Sequence, residues 1–161
     1  MKLEVVILAA GQGTRMKSRL PKVLHSVGGK PLLEHVIRTA QALEPAAIHV
    51  VVGHGSEQVQ QALAQYNLNW VVQAQQLGTG QAVMQALPAI SGTSVVLVLY
   101  GDVPLTRLST LQHLVRLAQN SPALLTATLQ NPQGYGRILR DGKGALLGVV
   151  EDKDATVSQR Q

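Results

Sequence analysis

Apolar residues along the chain fall into two alternating patterns. "EVVILAA" (residues 4–10), "AIHVVVG" (47–53) and "SVVLVLYGD" (94–102) are continuous apolar runs rich in β-branched residues, as expected of strands buried on both faces. "WVVQ" (70–73) and "ALLTATL" (123–129) read as shorter strands. Between them the spacing turns helical. "KPLLEHVIRTAQAL" (30–43) places Leu32, Leu33, Val36, Ile37, Ala40 and Leu43 on one face behind Pro31. "SEQVQQALAQY" (56–66) predicts a helix capped by Ser56, "GTGQAVMQALPAI" (78–90) one opened by glycine, and "STLQHLVRLAQN" (109–120) a fourth. The pattern then changes: "GRILR" and "ALLGVVED" flank "DGKG", which predicts an antiparallel hairpin. The closing "KDATVSQRQ" is a polar run expected to complete nothing.

Strand–helix alternation predicts an α/β fold, a Rossmann-like, mostly parallel sheet with helices on both faces. Ligands of such sheets bind beyond the carboxyl ends of the strands, where strand order reverses. Gly11 onward, 73–80 and Tyr100 to Asp102 are therefore the places to look for chemistry. No repeat, linker or low-complexity segment interrupts the pattern.

Composition narrows the chemistry. At 161 residues, 45% hydrophobic and 14% charged, the chain suits one globular domain. It has no cysteine, so thiolate catalysis and Cys-based zinc sites are excluded. Its five histidines form no HxxxH or HExxH pair. One Trp, three Tyr and no Phe argue against a surface for stacking single-stranded bases. The first apolar run is too short to span a bilayer or to act as a secretory signal, and the expected location is cytoplasmic. The net charge of +5 is local. Arg15, Lys17, Arg19, Lys22 and Lys30 lie together, and no acid falls between Val5 and Leu33. Such a patch suits a small polyanion at least as well as a duplex.

The basic patch begins with "LAAGQGTRMKSRLPK" (8–22). The Walker A pattern GxxxxGK[ST] is absent, which removes the P-loop NTPases. GxGxxG fails at its last position, where Met16 stands. Two readings stay open for the glycines: a strand-to-helix turn with solvated charges, or an anion nest of backbone N–H groups.

"LAAGxGTRM" followed by "LPK" resembles the signature of the sugar-1-phosphate nucleotidyltransferases. "PKVLHSVGGKPLLEHVI", "QAQQLGTGQAV", "YGDVPL", "GYGRI" and "VVEDKDAT" continue it in order. Together they resemble the uridylyltransferase half of the bifunctional N-acetylglucosamine-1-phosphate uridylyltransferase/glucosamine-1-phosphate acetyltransferases, over essentially the whole chain. The resemblance implies Mg²⁺-dependent conversion of UTP and N-acetylglucosamine 1-phosphate to UDP-N-acetylglucosamine and pyrophosphate, for bacterial cell-wall precursors. A sugar phosphate is already an anionic nucleophile, which accords with the absence of a convincing Ser/His/Asp set.

Carried over by resemblance, Leu8, Ala9, Ala10 and Gly11 match the backbone segment that holds the nucleotide. Arg15 matches the arginine that stabilises the triphosphate, and Lys22 a phosphate-contacting lysine whose backbone Pro21 restrains. Gln73, Gly78 and Thr79 match uracil recognition, though Thr79 serves equally well as a helix cap. Asp102 matches the metal-binding acid, with a turn former as the other reading. Tyr100 and Gly101 match its ligand-contacting neighbours, and Gly136 and Glu151 the sugar site. Lys17 and Arg19 are read as solvated; His25, His54 and Trp70 as structural.

Two departures qualify the match. Gln12 stands where a lysine is common in the superfamily. The second metal ligand, further sugar contacts and the acetyltransferase β-helix of the resembled family lie beyond Gln161, so residues 1–161 are expected to be an incomplete nucleotidyltransferase domain. Such a chain should bind nucleotide with little turnover; the full-length family enzyme is expected to be a homotrimer with no nucleic-acid or membrane partner. The rivals are a sugar-1-phosphate guanylyl- or cytidylyltransferase, and a non-catalytic nucleotide-binding module.

Overall fold

The computed structural model describes residues 2–160 apart from 12, 14, 15, 54, 55, 76 and 77. Its elements in chain order are β1 (Leu3–Ala9), β2 (Ser26–Val27), β3 (Lys30–Pro31), α1 (Leu32–Gln41), β4 (Ala47–Gly53), α2 (Glu57–Ala62), β5 (Asn69–Gln73), α3 (Thr79–Ala86), β6 (Val95–Tyr100), α4 (Leu108–Leu117), β7 (Arg137–Arg140), β8 (Leu146–Val150) and α5 (Val157–Arg160). The chain divides into two units, residues 1–124 and 125–161.

In the first unit four strands form a parallel sheet in the order β5-β4-β1-β6. The continuous apolar runs become buried strands because helices cover both faces. On one face Val5, Ile7, Ile48, Val50, Val52, Leu97 and Leu99 pack with Leu33, Val36, Ile37 and Ala40 of α1, Val59 of α2 and Leu111 of α4. On the other, Val6 and Val51 meet Ala82 and Ala86 of α3. The α/β fold expected from the alternation is the fold observed, and strand order reverses beside β1.

Several elements differ from the sequence reading. The first helix starts after Pro31, because Lys30–Pro31 pairs with Ser26–Val27 in a short antiparallel bridge. Ser56 sits at the N-cap of α2 but makes no capping hydrogen bond; its Oγ accepts from Gln60 Nε2 at 3.4 Å. α3 tightens into a 3-10 turn over Leu87–Ala89, where Pro88 has no N–H to continue the ladder. Residues 123–129 form no strand. The run straddles the division between units, and no described strand pairs with it, so its backbone lacks the ladder that a strand requires.

The second unit contains the expected hairpin, with Arg137 opposite Val150 and Ile138 opposite Val149. Its polar end is not idle. Residues 157–160 form α5, and Arg160 Nε and a terminal nitrogen donate to the Asp152 carbonyl at 3.0 and 2.8 Å. The Asp152 carboxylate pairs with Arg137 at 3.1 Å and accepts the Gly134 N–H at 3.0 Å. The polarity of this run reflects a hydrogen-bonded staple, which no hydrophobic pattern reveals.

A buried polar knot closes the amino end of the main sheet. Glu4, 1% exposed, accepts from His49 Nε2 at 2.9 Å, Ser94 Oγ at 2.7 Å, the Ser91 N–H at 3.2 Å and Lys2 Nζ at 3.0 Å. The carboxylate only accepts, so His49 carries its proton on Nε2. The His49 bond above all, then Ser94 and Lys2, holds the Glu4 carboxyl at about 2 against an ordinary 4.5. A carboxyl depressed in the folded state stabilises above its unfolded pKa, and that contribution is lost as pH falls through the folded one. We therefore expect an acid-unfolding component between pH 4.5 and about 2. In Glu4→Gln it should be absent from the pH dependence of urea midpoints. Glu4→Ala should cost roughly 3 kcal/mol at neutral pH, because it strands buried donors.

Candidate functional site

The carboxyl end of β1 is built for close approach. Leu8 lies opposite Val51 on one side and Tyr100 on the other, so Leu8 to Gly11 leave the sheet at its centre. One further bond, from the Gly101 N–H to the Leu8 carbonyl at 2.9 Å, keeps the ends of β1 and β6 together. A Cβ on Gly101 would stand 3.1 Å from Leu33 Cδ1, 3.2 Å from the Leu8 carbonyl oxygen and 3.3 Å from Ala9 Cβ. Gly101 is buried and lets the two strand ends meet, while its neighbours Tyr100 and Asp102 face the cleft.

Lys22 reaches the same place from a different segment. Pro21, at φ −50°, leads into a 3-10 turn over Lys22–Leu24 whose Val23 and Leu24 are buried, which anchors the lysine's backbone. Gly13 makes room for it. Its φ is +61°, and a Cβ there would lie 2.7 Å from Lys22 Cβ. Lys22 Nζ ends 2.5 Å from Asp102 Oδ2, with the two side chains 34% and 30% exposed. The counter-charge that a carboxylate at this strand end requires is thus supplied by the protein itself. Eighty residues separate the pair, and no local pattern announces it.

At the far side of the cleft Gln73 ends β5, 3% exposed. Gly78, at φ 103° and ψ 177°, takes a backbone conformation that favours glycine and leads into α3. Thr79 is the first residue of α3, one position inside the N-cap Gly78. Leu8, Ala9, Ala10, Gly11, Lys22, Gln73, Gly78, Thr79, Tyr100 and Asp102 line one cleft of about 280 Å³. Val23 and Ala82 complete the lining and were not singled out from sequence. For Ala82 a signal existed: it lies one helical turn beyond Gly78 and Thr79.

Arg15, Gln12 and His54 lie outside the described residues. Gly136 and Glu151 belong to the second unit. A Cβ on Gly136 would approach Val149 Cγ1 to 3.1 Å, so hairpin packing restricts that position, and Glu151 is exposed. Lys17 and Arg19 are exposed. Trp70 packs against the larger core cluster, and His25 Nε2 is buried with no partner among the described residues.

Among the described residues no three His, Asp or Glu side chains gather as a metal cage. One carboxylate, Asp102, faces the cleft. That donor set fits a small hard cation that retains waters and takes its remaining oxygens from phosphates. No described helix is long and apolar enough to cross a membrane.

Residues 5–147 match the model of the MobA-like NTP transferase domain. The chain is 60% identical over 159 residues to the bifunctional protein GlmU of Alkalilimnicola ehrlichii, covering 99% of this chain and 34% of that protein. It is also 60% identical over 161 residues to the GlmU of Stutzerimonas stutzeri, covering 99% and 35%. The chain therefore spans about a third of the length of these curated relatives. Among solved structures, HddC from Yersinia pseudotuberculosis superimposes with a TM-score of 0.70 at 21% identity, covering 92% of this chain and 68% of that one. At that identity the likeness shows the fold.

The glycine geometry separates two substitutions that look alike in sequence. Gly13→Ala should destabilise by about 1–3 kcal/mol and displace Lys22, because of its positive φ and the 2.7 Å approach. Gly11→Ala, where the new Cβ meets no described atom within 4 Å, should change stability by less than about 1 kcal/mol. Urea denaturation of both variants checks the contrast; equal losses would contradict it.

Proposed function

The chain belongs to the MobA-like NTP transferase domain family, and from that premise we propose that it is the nucleotide-binding part of a uridylyltransferase. The reaction proposed joins UTP and N-acetylglucosamine 1-phosphate to give UDP-N-acetylglucosamine and pyrophosphate. The observation that carries this reading is the single cleft that gathers the β1 end, Lys22, Gln73, Gly78, Thr79 and Asp102. The high identity to GlmU proteins supports the choice of substrates.

In this reading a phosphate oxygen of the sugar phosphate attacks the α-phosphorus. The new P–O bond forms as the bond to the bridging oxygen breaks, and the electron pair departs with pyrophosphate. The nucleophile is already ionised, so no general base is needed. What the protein must supply is in-line positioning and compensation of negative charge. The backbone from Leu8 to Gly11 supports the nucleotide, and Lys22 meets phosphate oxygens as a compact point charge. Arg15 is assigned the transition-state charge by resemblance. Gly136 and Glu151 are assigned to the sugar in the same way.

Asp102 would hold a divalent cation, taken to be Mg²⁺, together with phosphate oxygens; when bound, it screens the charge of the leaving pyrophosphate. The Lys22–Asp102 pair gives both groups a partner before substrate arrives. Partly exposed pairs of this kind contribute little, up to about 1 kcal/mol, so exchange of both partners on binding is inexpensive. At the base end, uracil offers one N–H donor between two carbonyl acceptors, which the Gln73 carboxamide and the backbone near Gly78 can answer.

The test is ligand-dependent melting with Mg²⁺ and UTP, CTP or GTP in turn. UTP should raise the melting temperature most. A larger shift with CTP or GTP would overturn the uridine assignment and favour a cytidylyl- or guanylyltransferase. Lys22→Ala should weaken UTP binding roughly tenfold or more, through loss of a charged hydrogen bond. Asp102→Asn should abolish the added shift that Mg²⁺ confers on UTP while keeping the metal-free shift. An intact Mg²⁺ increment in that variant would remove Asp102 from the metal site.

A further inference from the structure

Gln73 is buried, yet its carboxamide is not held by the strand that carries it. Its Nε2 donates to Gln81 Oε1, and also lies 3.4 Å from the Gly78 carbonyl oxygen. A backbone carbonyl only accepts, so the Gln73 atom facing Gly78 is the nitrogen. The same logic makes the facing Gln81 atom an oxygen. The NH₂ group is then committed to two acceptors on the protein side. A carboxamide is planar, and its oxygen must point the other way.

Among the described residues that oxygen has no protein partner. The buried side-chain atoms without a hydrogen bond, among the described residues, are His25 Nε2 and His49 Nδ1. Gln73 lines the cleft, so Oε1 is the carboxamide atom available to a ligand there. Gln81 is partly buried on the first turn of α3 and is absent from the cleft lining. Among the described residues its side chain is hydrogen-bonded to Gln73.

We propose that Gln81 is a positioning residue for base selection: it engages the Gln73 amide so that the carbonyl oxygen of Gln73 faces the base, and the cleft then reads a ring N–H donor such as that of uracil. The proposal rests on the uridine reading of the cleft. Cytosine presents an unprotonated ring nitrogen where uracil presents N3–H. Two acceptors then face each other in a partly desolvated place, which leaves both unpaired. The Gly78 contact at 3.4 Å is too long to hold the amide by itself. Without Gln81 the carboxamide can turn over and offer its NH₂ instead, which suits cytosine. Selectivity between two pyrimidines is thus set by a residue that contacts neither.

The test is calorimetric binding of UTP and CTP, with Mg²⁺, to the full 161-residue chain and its variants, with melting temperature recorded for each. Q81L removes the acceptor and should reduce the UTP-over-CTP preference about tenfold or more. Q81E keeps an acceptor and should retain the preference, since any repulsion of the added charge from the triphosphate acts on both nucleotides equally. Q81K offers a donor and should lower the preference further or invert it. A folded Q81L with the wild-type ratio would overturn the proposal. Should Q81L lose the wild-type melting temperature, Q81E against Q81K decides on the same ratio, and equal ratios would overturn it. A wild type that fails to favour UTP would instead sink the uridine reading. The positioning role would then stand or fall on whether Q81E and Q81K differ.

Discussion

β1 is hydrogen-bonded on both sides, to β4 and to β6, and everything else in the first unit follows from that placement. A strand in this position has its backbone groups paired along its length and apolar cover on both faces. It can present free backbone and side chains only where the ladder ends. Because strand order reverses beside β1, the ends of β1 and β6 run out side by side. Gly101 lets them touch, and Gly13 lets Lys22 come alongside. The other end of the strand is closed by Glu4, whose carboxylate is satisfied by His49, Ser94, Ser91 and Lys2. One end of the sheet is sealed by hydrogen bonds; the other opens on the cleft.

The cleft separates its tasks along its length. At one side Lys22 and Asp102 hold opposite charges in mutual contact, partly exposed, a pairing weak enough for a phosphate and a cation to replace. At the other side Gln73 is buried and its amide nitrogen is tied back to protein acceptors. Leu8, Ala9, Val23 and Ala82 give apolar walls between them. On the function proposed above, the charges to be exchanged lie near solvent and the group that reads the base is buried, where a mismatched hydrogen bond is most costly.

The second unit shows how a motif residue can be structural. In "GYGR", Arg137 donates to the carbonyls of Pro132 and Tyr135 and pairs with Asp152. Arg160 of α5 donates to the carbonyl of the same aspartate. These bonds hold a short hairpin and a four-residue helix whose outer faces carry exposed Leu147, Val149 and Val157. Polar stapling takes the place of a hydrophobic core in this unit.

Periodicity and turn chemistry were enough to determine the parallel α/β architecture, the three long strands, the hairpin and the strand ends where a ligand belongs. Those features depend on local spacing, which a sequence states directly. The motif residues at the strand ends were picked out by their resemblance to the sugar-1-phosphate nucleotidyltransferases. Residues 123–129 were misread, because an apolar β-rich run becomes a strand only when another strand is there to pair with it, and that is a tertiary fact. Ser56 and Thr79 were plausible caps by composition, yet Ser56 makes no capping bond and Thr79 lies one residue inside the N-cap, since cap position and rotamer are set by the fold and not by residue type. Above all, only the folded chain decided which groups are partners: Lys22 with Asp102, Glu4 with His49, Gln73 with Gln81. The first two pairs span 80 and 45 residues, and the third crosses from a strand to a helix. Distance along the chain carries no information about such contacts, because the sheet brings together strand ends that the sequence holds apart.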